Sequence, residues 1–289
     1  MNEEIFDYIR EAVDEFPQLC HAKNLLGKLS LSSNTSRQQE GLNTILVQYH
    51  QYLKRNIELV GFGDHIIEER VKLLNEYYNF FHVNEYDNLY TSQSKFRPTI
   101  LEEFMFLLFK DYIIHLKQEN NDEKDVINSG SAKAYTNLYF TSPNFRKFVE
   151  APEIEINLKD QDFAIYRDFD LKINDKEHHI RIPIVAIENK TYIDKTMLEG
   201  IIATAEKIKN GNPYSRFIVV SENYDVDLSV DPAYSRVDQI YVLRKCKRKE
   251  TWADIDERVV KRFFKEVKEH IQRPWSDVES KMRNDGIII

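Results

Sequence analysis

Residues 159–190 read KDQDFAIYRDFDLKINDKEHHIRIPIVAIENK. In the first half of this stretch, apolar and polar side chains alternate at most positions, which is the two-residue period of a half-buried strand. The run at 182–187 is apolar on both faces, as in a strand that is covered on each side. Asn174 and Asp175 supply turn residues between the two runs. The stretch therefore predicts a β-hairpin, and a helical pattern that begins at Asp194 predicts a helix after it.

The register of this hairpin decides which side chains meet at its open end. A three-residue loop would place Asp162 opposite Glu188 or Lys190, and these two share a face because they are two residues apart. A two-residue turn would put Asp162 on the other face. Pro183 cannot donate a hydrogen bond to the sheet and so indicates a bulge or an edge position, which would shift the register in either direction. We expect the register that brings the three charged groups together.

Two carboxylates and an ammonium at this spacing suit a metal-dependent hydrolase. The carboxylates of Asp162 and Glu188, with the main-chain carbonyl of Asn189, are the hard oxygen ligands that Mg²⁺ prefers. The cation would polarise a phosphoryl oxygen and acidify a bound water, while Lys190 would orient that water or help to deprotonate it. The competing interpretation is a solvated strand end with Asp162 as a turn residue.

The acidic-x-Lys triplet at Glu188 is not specific by itself. Only this copy ends an apolar strand, follows a strand that contains an aspartate and precedes a helix, and this context favours the metal site. The other copies of the triplet are Asp122–Lys124, Asp170–Lys172, Glu266–Lys268 and Glu279–Lys281.

Four segments together resemble a type II restriction endonuclease of the PD-(D/E)xK nuclease superfamily, in the branch that includes BbvCI. Asp162 matches the first acidic residue of the motif, Glu188–Asn189–Lys190 matches E-x-K, and Gln161 stands where the motif has proline. The resemblance spans residues 95 to about 245. It implies a restriction-endonuclease-like core, with a central mixed β-sheet flanked by helices, and Mg²⁺-dependent cleavage of DNA. The segments are KFRPTILEEF (95–104), SAKAY (131–135), KDQDFAIYRDF (159–169) and AIENKTY (186–192).

The resemblance also directs attention to the first helix of the core. Pro98 suits the start of this helix, and Glu102 and Glu103 lie in its first turn, where negative charge complements the helix dipole. In many members of the superfamily a glutamate of this helix points at the metal. We therefore expect one of the two, and choose Glu103, as a further metal ligand.

The candidates for contact with DNA are basic and aromatic residues around the catalytic segments. Cations interleaved with aromatic rings can touch a sugar-phosphate backbone or stack on bases. Two of the candidates lie in residues 129–150, which we expect to combine a loop before the catalytic strands with an amphipathic part that packs in the core. The candidate residues are Lys95, Arg97, Lys133, Tyr135 and Lys159.

The remaining pattern predicts an α/β chain in two parts. Helical periodicity at 3–16, at 42–60 and from Asp64 onward predicts an α-helical subdomain over 1–90, which would serve as a DNA-reading arm, a dimerisation arm or plain packing. Residues 91–289 would form the catalytic domain, since a hairpin, a crossover helix and further buried strands are the order of an α/β core with a mixed sheet.

Composition narrows the class of protein further. The net charge of −8 arises in the N-terminal part, whereas residues 244–249 form a basic cluster that suits either phosphate contact or a solvated strand end. The two cysteines are far apart, and no secretory leader or membrane span is evident, so we expect a cytoplasmic protein. The sequence lacks a Gly-x-Ser-x-Gly motif, a phosphate-binding glycine loop and a histidine pair at metal-binding spacing.

These features predict a type II site-specific deoxyribonuclease that hydrolyses double-stranded DNA with Mg²⁺ as a homodimer or heterodimer. One alternative is a repair or recombination nuclease of the same superfamily, which would nick particular DNA structures instead of one fixed sequence. The other is a non-catalytic DNA-binding subunit, whose function would survive removal of the metal.

Overall fold

The computed structural model describes residues 3–91, 96–121, 124, 126–173, 176–273, 275 and 277–288. The N-terminal part contains the helices α1 (Glu3–Glu15), α2 (Cys20–Leu29), α3 (Ser36–Glu58) and α4 (Asp64–Val83). The later helices are α5 (Thr99–Glu119), the short α6 (Phe145–Glu150), α7 (Lys195–Gly211) and α8 (Glu257–Gln272). Shorter helical turns lie at Tyr86–Asn88, Pro232–Tyr234, Val278–Ser280 and Lys281–Asp285.

The strands form one mixed sheet in the order β1-β2-β3-β4-β5. Neighbouring strands β1, β2 and β3 are antiparallel, whereas β3, β4 and β5 run parallel. Helix α7 connects the parallel pair β3 and β4, as a parallel crossover requires. The predicted α/β class with a central mixed sheet is confirmed. The strands are β1 (Ile127–Thr141), β2 (Glu153–Ile173), β3 (Lys176–Ile193), β4 (Arg216–Tyr224) and β5 (Gln239–Val242).

The β2–β3 hairpin reaches the expected alignment by an unexpected route. Ile173 pairs with Lys176, so two residues connect the strands and the expected three-residue loop is wrong. The register then shifts: Tyr166 pairs with Pro183 while its neighbour Ile165 pairs with Val185, which leaves one extra residue on β3. This β-bulge beside the proline reverses the effect of the two-residue turn, because an extra residue exchanges the faces of the strand.

The segment expected to be a loop before the catalytic strands is instead strand β1 followed by α6. β1 pairs with β2 along its whole length, with register shifts at Gly130/Ala132 and Tyr135/Asn137, and it also touches β3 through Ala134. Paired β-strands satisfy the backbone groups that a loop would leave to water. Sequence periodicity also missed α2, and α3 begins earlier than expected, at Ser36 behind a Thr35 capping box.

The core lies on both faces of the sheet. One face, with Phe163, Ile187 and Val220, joins α5, α8 and the N-terminal helices in a single hydrophobic cluster. The other face, with Ala186 and Val219, packs against α7. Because side chains alternate along a strand, Ala186 and Glu188 of β3 face α7, whereas Val185 and Ile187 face α5. The separate role of residues 1–90 stays a prediction.

Among the described helices, none combines the length and the apolar character needed to cross a lipid bilayer.

Two glycines of α7 are expected to respond in opposite ways to alanine. A Cβ atom on Gly211 would lie 2.2 Å from the main-chain oxygen of Thr136 in β1, so the helix end or the strand must move. A Cβ atom on Gly200 would meet nothing within 4 Å. Gly211→Ala should lower the free energy of unfolding by roughly 1–3 kcal/mol through overpacking, and Gly200→Ala should raise it by about 0.5–1 kcal/mol. Urea unfolding measures both; equal shifts would contradict the close approach of β1 to α7.

Candidate active site

Strands β2 and β3 separate at the position of the predicted catalytic residues. Their pairing ends at Phe163 and Ile187; from there β2 continues with β1, and β3 continues with β4 as far as Ile193. Asp162 and Glu188 are the next residues on the two strands. This point of separation, here called the fork, therefore places both carboxylates side by side on the α7 face. The side chains stay partly open to solvent, with 27% of Asp162 and 17% of Glu188 exposed.

The three predicted charged groups come together at this fork. The Lys190 ammonium donates to Glu188 Oε1 at 2.7 Å and lies 3.8 Å from Asp162 Oδ2. Asp162 Oδ2 also accepts the main-chain N–H of Asn189 at 2.8 Å, which fixes the Asp162 side chain against β3. Both carboxylates therefore contact one ammonium.

The charge state of Lys190 follows from its surroundings. Burial alone would lower the pKa of its ammonium, but the neighbouring carboxylates of Asp162 and Glu188, with Glu102 contributing, outweigh burial and raise it. Lys190 is therefore a cation at neutral pH in this arrangement, and its charge offsets the repulsion between the two carboxylates.

The donor set at the fork fits a hard divalent cation. In an extended strand the N–H and C=O of one residue point to the same side. Since the Asn189 N–H points at Asp162, the Asn189 carbonyl also faces the gap between the strands. Two carboxylates and this carbonyl offer oxygen ligands and leave positions for water, as Mg²⁺ sites usually do. In the part of the chain that the structure describes, no set of three or more His, Cys, Asp or Glu side chains is arranged to hold a metal.

Glu103 does not face this site, contrary to the expectation for the first core helix. Its Oε2 accepts the main-chain N–H groups of His21 and Ala22 at 2.8 and 2.9 Å, and its Oε1 accepts the Tyr49 hydroxyl at 2.7 Å. Glu103 is thus an acceptor for the free N–H groups at the start of α2. Burial raises the pKa of its carboxyl to about 7 despite these three donors.

Glu102, which the sequence left as the alternative to Glu103, is an α5 carboxylate whose charge acts on Lys190. It contributes to the field that raises the pKa of Lys190. Its side chain is half-buried. One step along a helix turns a side chain by about 100°, so adjacent glutamates point in different directions.

The two glutamates are expected to separate catalysis from folding. Glu102→Gln should slow Mg²⁺-supported DNA cleavage by about 10- to 100-fold, because it removes charge next to Lys190 and the candidate metal ligands. Glu103→Gln should leave the cleavage rate within about 3-fold and lower Tm instead, because one carboxylate oxygen of a buried network is lost. Rates measured well below both Tm values test this; a reversed ranking would show that Glu103 faces the site.

Arg97 is part of a buried ion pair and not of an open phosphate-binding surface, which corrects the expectation. It donates two hydrogen bonds to Glu222, at 2.7 and 2.9 Å, and one to Asp87 at 2.8 Å. Arg244 also donates to Glu222, at 3.0 Å. The cluster joins α5, β4 and the segment after β5. The remaining candidate of this segment, Lys95, lies outside the described residues.

The other DNA-contact candidates lie on the β1–β2 ribbon, but not on one surface. Lys133 pairs with Asp160 across the ribbon and shares a face with Tyr135, while Lys159 pairs with Ala134 and therefore lies on the opposite face. Lys133 is exposed and Lys159 is half-buried. Their contact with DNA stays a prediction, and one straight duplex would meet only one of the two faces.

Sequence reasoning missed a second group beside the fork. Tyr192 follows Lys190 on β3, and the guanidinium of Arg248 lies over its ring at 3.8 Å from the ring centre. Within the basic cluster at 244–249, Arg244, Lys245 and Arg248 make ion pairs with Glu222, Asp256 and Asp225 respectively, and residues 247–249 are exposed. The basic run was visible in the sequence, but its position beside the fork depends on β5 lying next to β4.

Comparison with known proteins gives the family and the fold of the chain. The family model described as Bpu10I restriction endonuclease matches residues 93–273, which include the whole fork. A solved structure of native BbvCI, described as an A2B2 tetramer at low resolution, superposes with a TM-score of 0.69 and 21% identity over 88% of this chain and 95% of that chain. None of the curated proteins matches the chain. The chain belongs to the Bpu10I restriction endonuclease family and is a type II site-specific endonuclease that acts on DNA.

Proposed function

We propose that Asp162, Glu188 and Lys190 form a Mg²⁺-dependent catalytic centre for hydrolysis of DNA phosphodiesters. The observation that carries this proposal is the convergence of both carboxylates on one ammonium where β2 and β3 separate. A cation bound by Asp162, Glu188 and the Asn189 carbonyl would polarise the scissile phosphate and acidify a water.

The protein side chains have distinct roles in this proposal. Asp162 and Glu188 supply oxygen ligands and the negative charge that offsets the cation. The Asn189 N–H fixes the Asp162 side chain by a hydrogen bond. Lys190 points its ammonium at the same position, where it orients the attacking water and stabilises charge that develops on the phosphate. Glu102 lies close enough to assist through charge.

Two cuts are needed to break a duplex, so we further propose that the chain works as a dimer, with itself or with a related subunit. The BbvCI structure is described as an A2B2 tetramer, which is consistent with an assembly of this kind. The exposed apolar side chains of the ribbon and α6, among them Phe140, Phe145 and Val149, offer surface that a second subunit would cover. We place this activity in the cytoplasm, where DNA that enters a cell is met.

The direct test is cleavage of a sequenced plasmid with Mg²⁺, followed by mapping of the ends. The expected result is cleavage at one fixed sequence that stops when the metal is chelated. Nicking at particular DNA structures would favour a repair nuclease, and sequence-specific binding that is unaffected by chelation, with no cleavage, would favour a non-catalytic subunit.

A further inference from the structure

A pocket of about 440 Å³ lies next to the proposed catalytic centre. Thr191 and Tyr192, which directly follow Lys190, form part of its wall. The pocket opens at the carboxyl ends of the parallel strands β3 and β4, where ligands bind in many open α/β sheets. His82 and Tyr90 reach it from the N-terminal helical part, so this pocket joins that part to the catalytic sheet.

The floor of the pocket is rigid and nearly neutral. It is the buried cluster in which Arg97 and Arg244 both donate to Glu222, with Asp87 on the far side of Arg97. Glu222 and Arg244 are 2% and 4% exposed, so neither can turn outward without leaving its partner buried and unpaired. Two cations and two anions leave no net charge at the floor, which disfavours a bare anion as the occupant.

Flat groups and hydrogen-bonding side chains form the walls. The rings of His82 and Trp252 stack with centres 4.2 Å apart, and Arg244 lies over Trp252 at 3.9 Å. His82 and Arg244 therefore already cover the Trp252 ring, and the ring that the pocket offers to a planar heterocycle is that of His82, whose side chain is 51% exposed. Polar side chains that could read the edge of the heterocycle also line the pocket: Asn88, Thr91, Asn223 and Thr251.

The mouth of the pocket differs from its floor in charge. Lys247 and Arg248 line the mouth and are exposed, and the adjacent Lys249 is exposed as well. Glu250 also lines the pocket and Asp225 forms an ion pair with Arg248, so three cations stand against two carboxylates there. Exposed cations beside a catalytic centre for DNA are suited to a phosphate group. A neutral, stacking interior with a cationic mouth therefore has the chemistry of one nucleotide, with the base inside and the phosphate at the entrance. The volume lies within the roughly 300–1,000 Å³ of small-molecule pockets.

We propose that this pocket receives a single nucleotide of the bound DNA, with its base against the His82 ring and its phosphate at Lys247 and Arg248. The nucleotide leaves the base stack next to the scissile phosphate, and the pocket reads its base by hydrogen bonds and shape. This inference rests on the proposed function, since it concerns the same catalytic centre.

Cys246 provides the test because its half-buried side chain lines the pocket. Cys246→Phe would fill the pocket, whereas Cys246→Ser keeps its volume. We expect Cys246→Phe to slow cleavage of the mapped target duplex by about 100-fold, because the nucleotide can no longer seat, and Cys246→Ser to cleave within about 3-fold of wild type. An abasic nucleotide, scanned through the target, should restore cleavage by Cys246→Phe at one position only.

A second measurement uses the unmodified protein, in case Cys246→Phe does not fold. The target duplex, with Ca²⁺ in place of Mg²⁺, should slow maleimide labelling of Cys246 at least 10-fold, an effect worth about 1.4 kcal/mol of protection. Cys20, whose thiol contacts the Thr99 carbonyl and whose pKa is raised well above the usual range by burial, should label slowly in both states.

The outcomes separate this inference from the proposed function. Wild-type rates for Cys246→Phe, the absence of any position rescued by an abasic nucleotide, or labelling of Cys246 that DNA does not slow would each overturn the nucleotide pocket while leaving the catalytic centre intact. A wild-type protein that cleaves no plasmid with Mg²⁺ would overturn the proposed function itself.

Discussion

Exchange of Glu188 for glutamine is expected to slow Mg²⁺-supported plasmid cleavage by about 1,000-fold or more, since a Lewis-acid interaction worth several kcal/mol would be lost. The substitution keeps the size of the side chain but removes the charge that Lys190 now contacts at 2.7 Å. DNA binding should persist, because the substitution removes a carboxylate that repels the substrate phosphate. The measurement is the rate of conversion of supercoiled to linear plasmid at saturating enzyme.

Glu279 offers a matched control for this prediction. It stands two residues before Lys281, so it has the same Glu-x-Lys spacing, but it is an exposed residue whose partner is Arg283. Glu279→Gln should cleave at the wild-type rate. If both variants cleaved like wild type, the spacing at Glu188 would have no catalytic meaning despite its place at the fork.

Exchange of Glu222 for alanine is expected to lower the free energy of unfolding by about 3–5 kcal/mol, because the Arg244 guanidinium would stay buried without a counter-charge and Arg97 would keep only Asp87. This loss is a large share of the roughly 5–15 kcal/mol that stabilises a typical domain. Burial opposes ionisation of Glu222, but Arg97 and Arg244 outweigh it and hold the pKa of this carboxyl below its usual value.

The pH range of this stabilisation follows from the sign of the pKa shift. A lowered pKa means that the unfolded chain binds the proton more tightly, so the stabilisation is complete above the ordinary glutamate pKa of 4.5 and is lost as the pH falls through the lower, folded-state value. The comparison variant is Glu68→Ala, which breaks an equally short but more exposed pair with Lys261. Its loss should be at most about 1 kcal/mol. Similar losses for both variants in urea unfolding at pH 7 would contradict the role of burial.

The β2–β3 hairpin could be predicted from the sequence, but the β-bulge within it could not. Alternation along 162–173 and the apolar run at 182–187 depend on local side-chain direction, so the hairpin could be expected. The bulge next to Pro183 depends on which partner residue is skipped, and that is set by the packing of both faces of the sheet. The alignment of Asp162 with Glu188 was therefore predicted correctly, but by way of a loop that the structure does not have.

Long-range partners account for the other differences. The choice between Glu102 and Glu103 depends on α2, whose N–H groups donate to Glu103, and this helix of 10 residues was not predicted from the sequence. The partner of Arg97 is Glu222, on a strand 125 residues away. A charged residue before a helix has the same local sequence whether it meets DNA or a buried carboxylate, so only the tertiary structure distinguishes the two.

The proposed catalytic centre requires a metal that is held at the fork by ligands from β2 and β3. Fe²⁺ substituted for Mg²⁺ generates radicals that cut the main chain next to the metal, and mass spectrometry locates the cuts. With ascorbate, the wild-type protein is expected to be cut close to Asp162 and to Glu188–Lys190, with excess Mg²⁺ suppressing both cuts and Glu188→Gln abolishing them. Cuts confined to other segments, or cuts at the fork that neither Mg²⁺ nor the Glu188 variant affects, would contradict the proposed centre.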